Sequence, residues 1–190
     1  MPSQRERALD AAIDLLGTRG LKALTHRGVD RRADLPPGST SNYFRTRDAL
    51  LVGASERIVE REVQGFGAVE VTSAEALIDL IVRLIDLTTR TNRTMTAARL
   101  VLFLESSHHE GLRTTLWRGR EQMAAMLEPQ VAGLGARDPR TTTVALMACA
   151  EGVILHRIAR HDDEEVRPLI EAVVRGALGS TVPSHEQGTG

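Results

Sequence analysis

Apolar residues recur with helical spacing along almost the whole chain, and this periodicity constrains the fold more than any other feature. In the first segment, small and aliphatic residues lie three or four positions apart: Ala8, Ala11, Ala12, Leu15 and Leu16. Ser3 and Glu6 have the spacing of a capping box before this segment, and Gly20 follows it as a stop signal. We therefore predict a first helix from Gln4 to Arg19, and an all-α fold for the chain.

Two short helical segments follow, separated by a turn that contains two prolines. Thr25 is a good N-cap for a second helix from His26 to about Asp34, and Pro36 ends it because the residue before a proline is pushed out of the α region. Pro37 suits the first turn of a third helix that ends near Phe44. This arrangement predicts a helix-turn-helix, whose last helix presents short polar side chains to a DNA major groove about 12 Å wide. The third helix offers such side chains: Ser39, Thr40, Ser41 and Asn42.

The helices predicted beyond this point are longer, and Thr46 can cap the first of them. We expect them at about Arg47–Val63, Ala74–Thr89, Arg93–Ser106, Glu110–Leu134, Thr141–Arg160 and Glu164–Leu178. The segment Ala74–Thr89 is apolar on almost every side, so we predict that it is the central, fully surrounded helix of a bundle. The polar residues 180–190 predict a disordered tail.

Composition narrows the partners. Residues 1–50 contain nine basic and six acidic residues, whereas the rest of the chain is net negative, so the basic end is the candidate for phosphate contact. Aromatic residues make up 3% of the chain, which favours duplex over single-stranded nucleic acid. The polar start is not a secretory signal, and the longest apolar run, Val144–Ala150, is too short to span a bilayer. We expect a soluble cytoplasmic protein in which the lone Cys149 is a small buried hydrophobe.

Several motifs in order resemble the N-terminal domain of TetR-family transcriptional regulators. They are Ala8–Leu16, Arg19–Leu21, Leu24–Val29 and, above all, Gly38–Leu51. The resemblance implies a helix-turn-helix DNA-binding domain (1–46) joined to a helical ligand-binding and dimerisation domain (47–179). The family's DNA-contacting positions fall on Thr25, His26, Arg27, Pro37, Gly38, Ser39, Ser41, Asn42, Tyr43 and Arg47.

Three residues depart from the family's usual pattern. Ser41 stands where a Tyr is usual, Asp34 replaces the usual Gly of the turn, and Pro36 stands where a capping Ser is common. The departures affect the operator sequence we expect and leave the fold unchanged.

The resemblance also implies a homodimer that pairs through its last two helices, reads a palindromic operator and is released by a small-molecule effector. The sequence supports the dimer, because Val144–Leu155 is apolar on more than one side and the last helix carries an apolar stripe. The stripe consists of Val166, Leu169, Ile170, Val173, Val174, Ala177 and Leu178. The alternative is that both faces cap a core within one chain.

The ligand cavity implied by the resemblance lies between the fourth and eighth helices. We expect apolar walls with a few polar groups, formed by Met95, Arg99, Phe103, Trp117, Met123, Met147, Glu151 and His156. Glu151 is the most informative of these, because a charge inside an apolar helix needs an Arg or His partner, a ligand, or a place on the dimer axis.

Other functions are less well supported. The histidine groups at Glu105–His109 and His156–Asp163 lack the i, i+4 spacing of metal-binding helices, so we expect neither a metal nor a cofactor. We find no phosphate loop, nucleophile elbow or βα alternation, which speaks against an enzyme. A helical adaptor with a degenerate helix-turn-helix is the remaining alternative, and the polar residues Arg27, Asn42, Tyr43 and Arg47 argue against it.

Overall fold

A computed structural model describes residues 2–66, 70–161 and 164–179 of the 190-residue chain. The expected tail at 180–190 lies outside the described residues. Within them the fold is all-α and contains no strand, as predicted. The helices are α1 (Gln4–Arg19), α2 (His26–Arg32), α3 (Ser39–Tyr43), α4 (Arg47–Phe66), α5 (Ala74–Asp86), α6 (Arg93–Glu105), α7 (Glu110–Gly133), α8 (Pro139–Arg160) and α9 (Arg167–Gly179).

The capping residues predicted from the sequence are confirmed. Ser3 and Glu6 form a reciprocal capping box at α1, and the Thr25 hydroxyl accepts from the Gly28 amide at α2. The Thr46 hydroxyl accepts from the Ala49 amide at the start of α4. Each of these bonds satisfies a backbone N–H that has no partner within its helix.

Several predicted boundaries are wrong for local reasons. The third helix begins at Ser39 and not at Pro37, because Gly38 has a left-handed backbone with φ of 90° before the first turn. α4 continues through Gly65 to Phe66, whereas we expected it to end near Val63. α8 begins at Pro139, two residues before the predicted start, because proline suits the first turn and the Asp138 side chain accepts from the Thr141 amide.

Two hydrophobic clusters divide the core. The first cluster contains residues of α1, α2 and α4, together with Ala98 and Leu102 of α6 and Leu112 of α7. The second joins α5, α8, α9 and the C-terminal half of α7, including Leu127 and Val131. The first cluster therefore contains residues on both sides of the predicted domain boundary between residues 46 and 47. The helices of the helix-turn-helix, α2 and α3, thus share one core with parts of α6 and α7.

α5 is not the fully surrounded helix that its composition predicts. Leu87, just past its end, is 41% exposed, and Glu75 and Asp79 form an outward acidic face that pairs with Arg167 of α9. The apolar stripe of α9 packs on this side of the bundle. Its residues Val166, Ile170 and Val174 are buried within the chain, so the expectation that the whole stripe lies open to a second copy is wrong for these three.

α8 packs one apolar side on the second cluster and leaves other apolar residues exposed. It is the one helix among the described residues that is long and apolar enough to cross a membrane, and 22% of its most apolar 18-residue stretch is buried. Val144 and Leu155 are among its exposed aliphatic side chains. An exposed apolar surface of this kind is typical of a site that another surface covers.

α1 and α6 cross at very short range. A Cβ atom added to Gly17 of α1 would overlap the carbonyl oxygen of Thr94 in α6. Only a glycine lets the two backbones approach so closely at this point. The crossing fixes the position of the first three helices on α6.

We expect Gly17→Ala to lower the free energy of unfolding by about 1–3 kcal/mol, because α1 and α6 must move apart to admit the methyl group. Gly65→Ala in α4 is the matched control, since nothing lies within 4 Å of a Cβ added there. The control should be neutral or stabilise the chain by about 0.5–1 kcal/mol. Urea denaturation measures both, and equal effects would contradict the tight crossing.

Candidate DNA-binding surface and ligand cavity

α2 and α3 present one exposed polar face. Arg27 on α2 and Asn42 and Tyr43 on α3 are exposed, and Asn42 and Tyr43 make no side-chain hydrogen bond to the described part of the chain. Arg31, one turn after Arg27, is exposed as well. Neither arginine has a carboxylate within ion-pair distance among the described residues, so both can meet phosphate oxygens. The sequence analysis did not include Arg31, although its i, i+4 spacing from Arg27 could have indicated it.

Other residues of the expected contact set are bonded within the chain. The His26 Nε2 atom lies 2.6 Å from the Phe44 carbonyl oxygen, and the Arg47 guanidinium donates to the carbonyl oxygens of Leu21 and Leu24. Ser39 is buried. His26 and Arg47 thus connect the segments that precede and follow the helix pair, and Ser39 faces the interior.

The remaining members of the set lie at the turn. Thr25, Pro37 and Gly38 are exposed at helix ends. The Ser41 hydroxyl donates to the Gly38 carbonyl oxygen at 2.8 Å. The short Ser41 side chain, where the family usually has a Tyr, is therefore held against its own helix.

Asp30 anchors α3, the recognition helix, and was not among the residues expected from the sequence. The residue is 4% exposed, and its carboxylate accepts from the Gly38 amide, the Thr40 amide and the Thr40 hydroxyl. Burial by itself would raise the pKa of Asp30, but these hydrogen bonds from Thr40 and Gly38, with a charge contribution from His26, hold the pKa below its ordinary value. The carboxylate thus replaces the side-chain cap that α3 lacks.

Asp34, which stands where the family usually has a Gly, lies in a turn with a left-handed backbone. Asp34 has φ of 51°, in the left-handed region that favours glycine. The Arg7 guanidinium donates to the carbonyl oxygens of Ala33 and Asp34. This cap from α1 helps to hold a turn that the residue at position 34 does not itself favour.

A cavity lies between α4, α5, α6, α7 and α8. Its volume is about 160 Å³, which is close to the size of a single ring. Apolar residues form most of the wall: Phe66, Ile81, Leu84, Ile85, Leu87, Met95, Met123, Met147, Ala150 and Ile154. Three of these are methionines, whose flexible side chains can adjust to ligands of different shape.

The structure brings together five of the eight expected lining residues: Met95, Arg99, Met123, Met147 and Glu151. The other three expected residues lie outside this cavity. Phe103 is 54% exposed in an open groove beside Leu155, and His156 faces a separate groove toward Leu169 of α9. Trp117 is 62% exposed, because Thr115 and Gly119 define the buried side of α7 and Trp117 points away from it.

Glu151 has the arginine partners that its position predicts. It pairs with Arg99 of α6 at 3.2 Å and with Arg120 of α7 at 2.6 Å. Arg99 also contacts Glu62 of α4 at 3.2 Å. Burial raises the pKa of Glu62, and the nearby Glu151 raises it further, against the opposing effect of Arg99. Glu62 was not among the expected lining residues, because its sequence pattern is the same as that of the exposed acidic residues of α4.

The histidine groups form no metal site among the residues that the structure describes. Asp162 and Asp163 of the second group lie outside those residues. His109 has a structural part instead, since its Nδ1 atom accepts from the Leu112 amide at the start of α7.

Comparison with known proteins identifies the family. A family model described as the tetracyclin repressor-like C-terminal domain matches residues 72–180. A solved TetR-family member from Streptomyces coelicolor A3 is 29% identical, with a TM-score of 0.74 over 91% of this chain and 96% of that one. The multidrug binding protein EbrR, solved with ethidium, is 29% identical, with a TM-score of 0.71 over 91% and 96% of the two chains. The chain belongs to the tetracycline-repressor-like family of transcriptional regulators.

A curated relative extends the likeness only to a short stretch. An uncharacterised HTH-type transcriptional regulator from Xanthobacter autotrophicus is 39% identical over 59 residues. The match covers 31% of this chain and 29% of that relative. A transcriptional regulator from Rhodococcus sp. Rha1 shares the fold, with a TM-score of 0.83 at 20% identity over 93% and 97% of the two chains.

We expect Asp30→Ala to lower the free energy of unfolding by about 1–3 kcal/mol, because it leaves buried donors of Gly38 and Thr40 unpaired. Glu56→Ala removes a carboxylate from an exposed position of α4 and should change stability by no more than about 0.5 kcal/mol. Thermal and urea denaturation measure both variants. Equal stability of the two would show that Asp30 does not anchor α3.

The lowered pKa of Asp30 also predicts a pH dependence. A carboxyl group whose folded-state pKa lies below its usual value of 3.8 stabilises the fold above about pH 4, and this contribution is lost as the pH falls through the folded-state pKa. The wild type should therefore lose more stability between about pH 5 and pH 3 than Asp30→Asn, which has no proton to bind there. Parallel losses in urea titrations at the two pH values would contradict the assignment.

Proposed function

We propose that the chain is a ligand-responsive repressor that binds a palindromic DNA operator as a homodimer and leaves it when a small molecule enters the cavity. The arrangement of α4 carries the proposal. Its first half belongs to the core that supports α2 and α3, and its second half, with Glu62 and Phe66, lines the cavity. One helix thus belongs both to the core that supports α2 and α3 and to the wall of the cavity.

The DNA contacts that we propose are those of the expected set, divided by their geometry. Arg27, Asn42 and Tyr43, together with Arg31, are free to contact DNA. Asn42 can pair with adenine through its amide, whereas the arginines suit phosphate. Thr25, His26, Pro37, Gly38, Ser39, Ser41 and Arg47 hold the turn or approach the DNA backbone.

The homodimer that we propose forms mainly through α8. Its exposed residues include Val144 and Leu155, and Leu169 of α9, also exposed, continues the surface. Two copies related by a twofold axis would cover this apolar surface on both chains. A cytoplasmic location, and domains at 1–46 and 47–179, go with this proposal. The adaptor alternative has no observation in its favour.

The ligand site that we propose is the cavity lined by Met95, Arg99, Met123, Met147 and Glu151. The similar solved structure of EbrR contains ethidium. This supports the proposal that the effector of the present chain is a small organic molecule. Ligand binding would favour a position of α4 in which the two recognition helices no longer fit successive major grooves, which lie about 34–36 Å apart.

We expect Arg27→Ala to lower the salt dependence of duplex binding, reducing the slope of log K against log salt by about 2, since the homodimer loses one phosphate contact in each protomer. Arg137→Ala is the control. It removes the same charge from an exposed residue in the turn between α7 and α8. Fluorescence anisotropy with a labelled duplex at several salt concentrations measures the slopes, and identical slopes for both variants would place DNA elsewhere.

Leu155→Glu should convert the dimer to a monomer, because it places a charge in the apolar α8 surface. Ala125→Glu adds the same charge at an exposed position of α7 and should leave the mass unchanged. Light scattering after size exclusion gives the mass. A Leu155→Glu protein that remains dimeric would exclude this part of α8 from the interface.

A further inference from the structure

The charged groups of the cavity lie on four helices and contact one another. Glu62 of α4, Arg99 of α6 and Glu151 of α8 all line the wall. Arg99 lies 3.2 Å from each of the two carboxylates. Arg120 of α7 adds a second cation to Glu151 at 2.6 Å. Two carboxylates therefore share Arg99, and only Glu151 has a further cationic partner among the described residues.

Glu62 is the carboxylate with the weaker compensation. Its side chain is 15% exposed, and Arg99 is the only cation within ion-pair distance of it in the described part of the chain. A buried carboxylate with half a share of one guanidinium favours any further positive charge. The raised pKa of Glu62 agrees with this shortage of positive charge around it.

The cavity offers little to an anion. Its lining contains two cationic side chains, Arg61 and Arg99. Arg61 pairs with Asp10 of α1 at 2.7 Å, and Arg99 is held by the two glutamates. An anionic ligand would have to displace one of these carboxylates and then lie close to Glu62 or Glu151.

The apolar part of the wall also suits an organic cation. Phe66 lies one turn after Glu62 on α4 and is the aromatic residue in the described lining. An aromatic face attracts a cation through its quadrupole. The methionines and leucines beyond it provide contact for an apolar body.

We propose that the cavity binds an organic cation with an apolar body of about one ring, and that Glu62 pairs with its positive charge. The proposal rests on the proposed function, since it names the class of effector for the same site. The cation replaces part of the pairing between Arg99 and Glu62, and Arg99 remains with Glu151. The contact is made on α4, the helix that also carries Arg57 and Arg61, which bind Asp10 of α1.

Three probes of similar shape and different charge test this. Phenyltrimethylammonium is the cation, tert-butylbenzene the neutral analogue and benzenesulfonate the anion. Saturation-transfer NMR with the full chain, in the absence of DNA, gives their relative affinities. We expect the cation to bind about tenfold or more tightly than the neutral probe, and the anion to bind most weakly. Equal binding of the cation and the neutral probe, or preference for the anion, would overturn the proposal.

Charge-matched variants assign the effect to Glu62. Glu62→Gln should weaken binding of phenyltrimethylammonium about tenfold and improve binding of benzenesulfonate, because the variant site has lost one negative charge relative to the wild type. Glu56→Gln makes the same change on the exposed side of α4 and should alter neither probe. Circular dichroism verifies that both variants are folded. If Glu62→Gln does not fold, the wild-type preference among the three probes still decides the proposal.

The outcome is separable from that of the proposed function. A chain that binds duplex DNA but prefers the neutral or anionic probe remains a regulator with a different effector class. A chain that prefers the cation through Glu62 but shows no sequence-selective DNA binding keeps the cavity assignment and loses the regulator function.

Discussion

The contact between α1 and α6 at Gly17 and Thr94 is the constraint on which the arrangement of the molecule depends. The backbones meet directly there, so no flexible side chain can absorb a displacement. α6 carries Met95 and Arg99 on its cavity side and Ala98 and Leu102 on the side that joins the recognition core. One side of α6 therefore forms part of the cavity wall, and the other side supports the DNA-binding helices.

α4 provides the second connection, and it is electrostatic. Asp10 of α1 receives Arg57 at 2.8 Å and Arg61 at 2.7 Å. Burial alone would raise the pKa of Asp10, but these arginines keep it below its ordinary value. Glu62, the next residue on α4, belongs to the charged group of the cavity. A ligand that alters the pairing of Glu62 acts one residue away from the ion pairs that hold α1 on α4.

These two connections explain how a small cavity could control a distant surface. The recognition helices are short, and α3 is held by Asp30 and by the turn, not by its own length. Their orientation in the proposed dimer depends on α1, α4 and α6. The proposed response needs only a ligand that binds one arrangement of these three helices better than another.

The sequence predicted the features that depend on local chemistry. The caps at Ser3, Thr25 and Thr46 and the extent of α1 follow from neighbouring residues, and the structure agrees. Buried partners such as Asp30 and Glu62 could not be predicted, because an acidic residue on a helix has the same pattern whether it faces water or a neighbouring helix. The position of Phe103, Trp117 and His156 outside the cavity could not be predicted for the same reason, since helical spacing does not show which apolar face a neighbour leaves uncovered.

The packing of α9 illustrates a further limit. Its apolar stripe predicts a buried face but does not distinguish a neighbour in the same chain from a second copy. In the structure Val166, Ile170 and Val174 are buried in a cluster with residues of α5, α7 and α8, whereas Val144 and Leu155 of α8 stay exposed. The proposed dimer surface is consequently narrower than the sequence suggested.

Selection of duplexes from a random library by the purified chain, at near-physiological salt and in parallel with Asn42→Ala, shows whether the chain is a sequence-specific, dimeric DNA-binding protein. We expect enrichment of an inverted repeat whose half-sites are centred one helical turn, about 10–10.5 base pairs, or a multiple of it apart, and loss of that enrichment in the variant. Absence of a motif, or salt-sensitive binding that the two proteins share, would exclude this mode of DNA recognition.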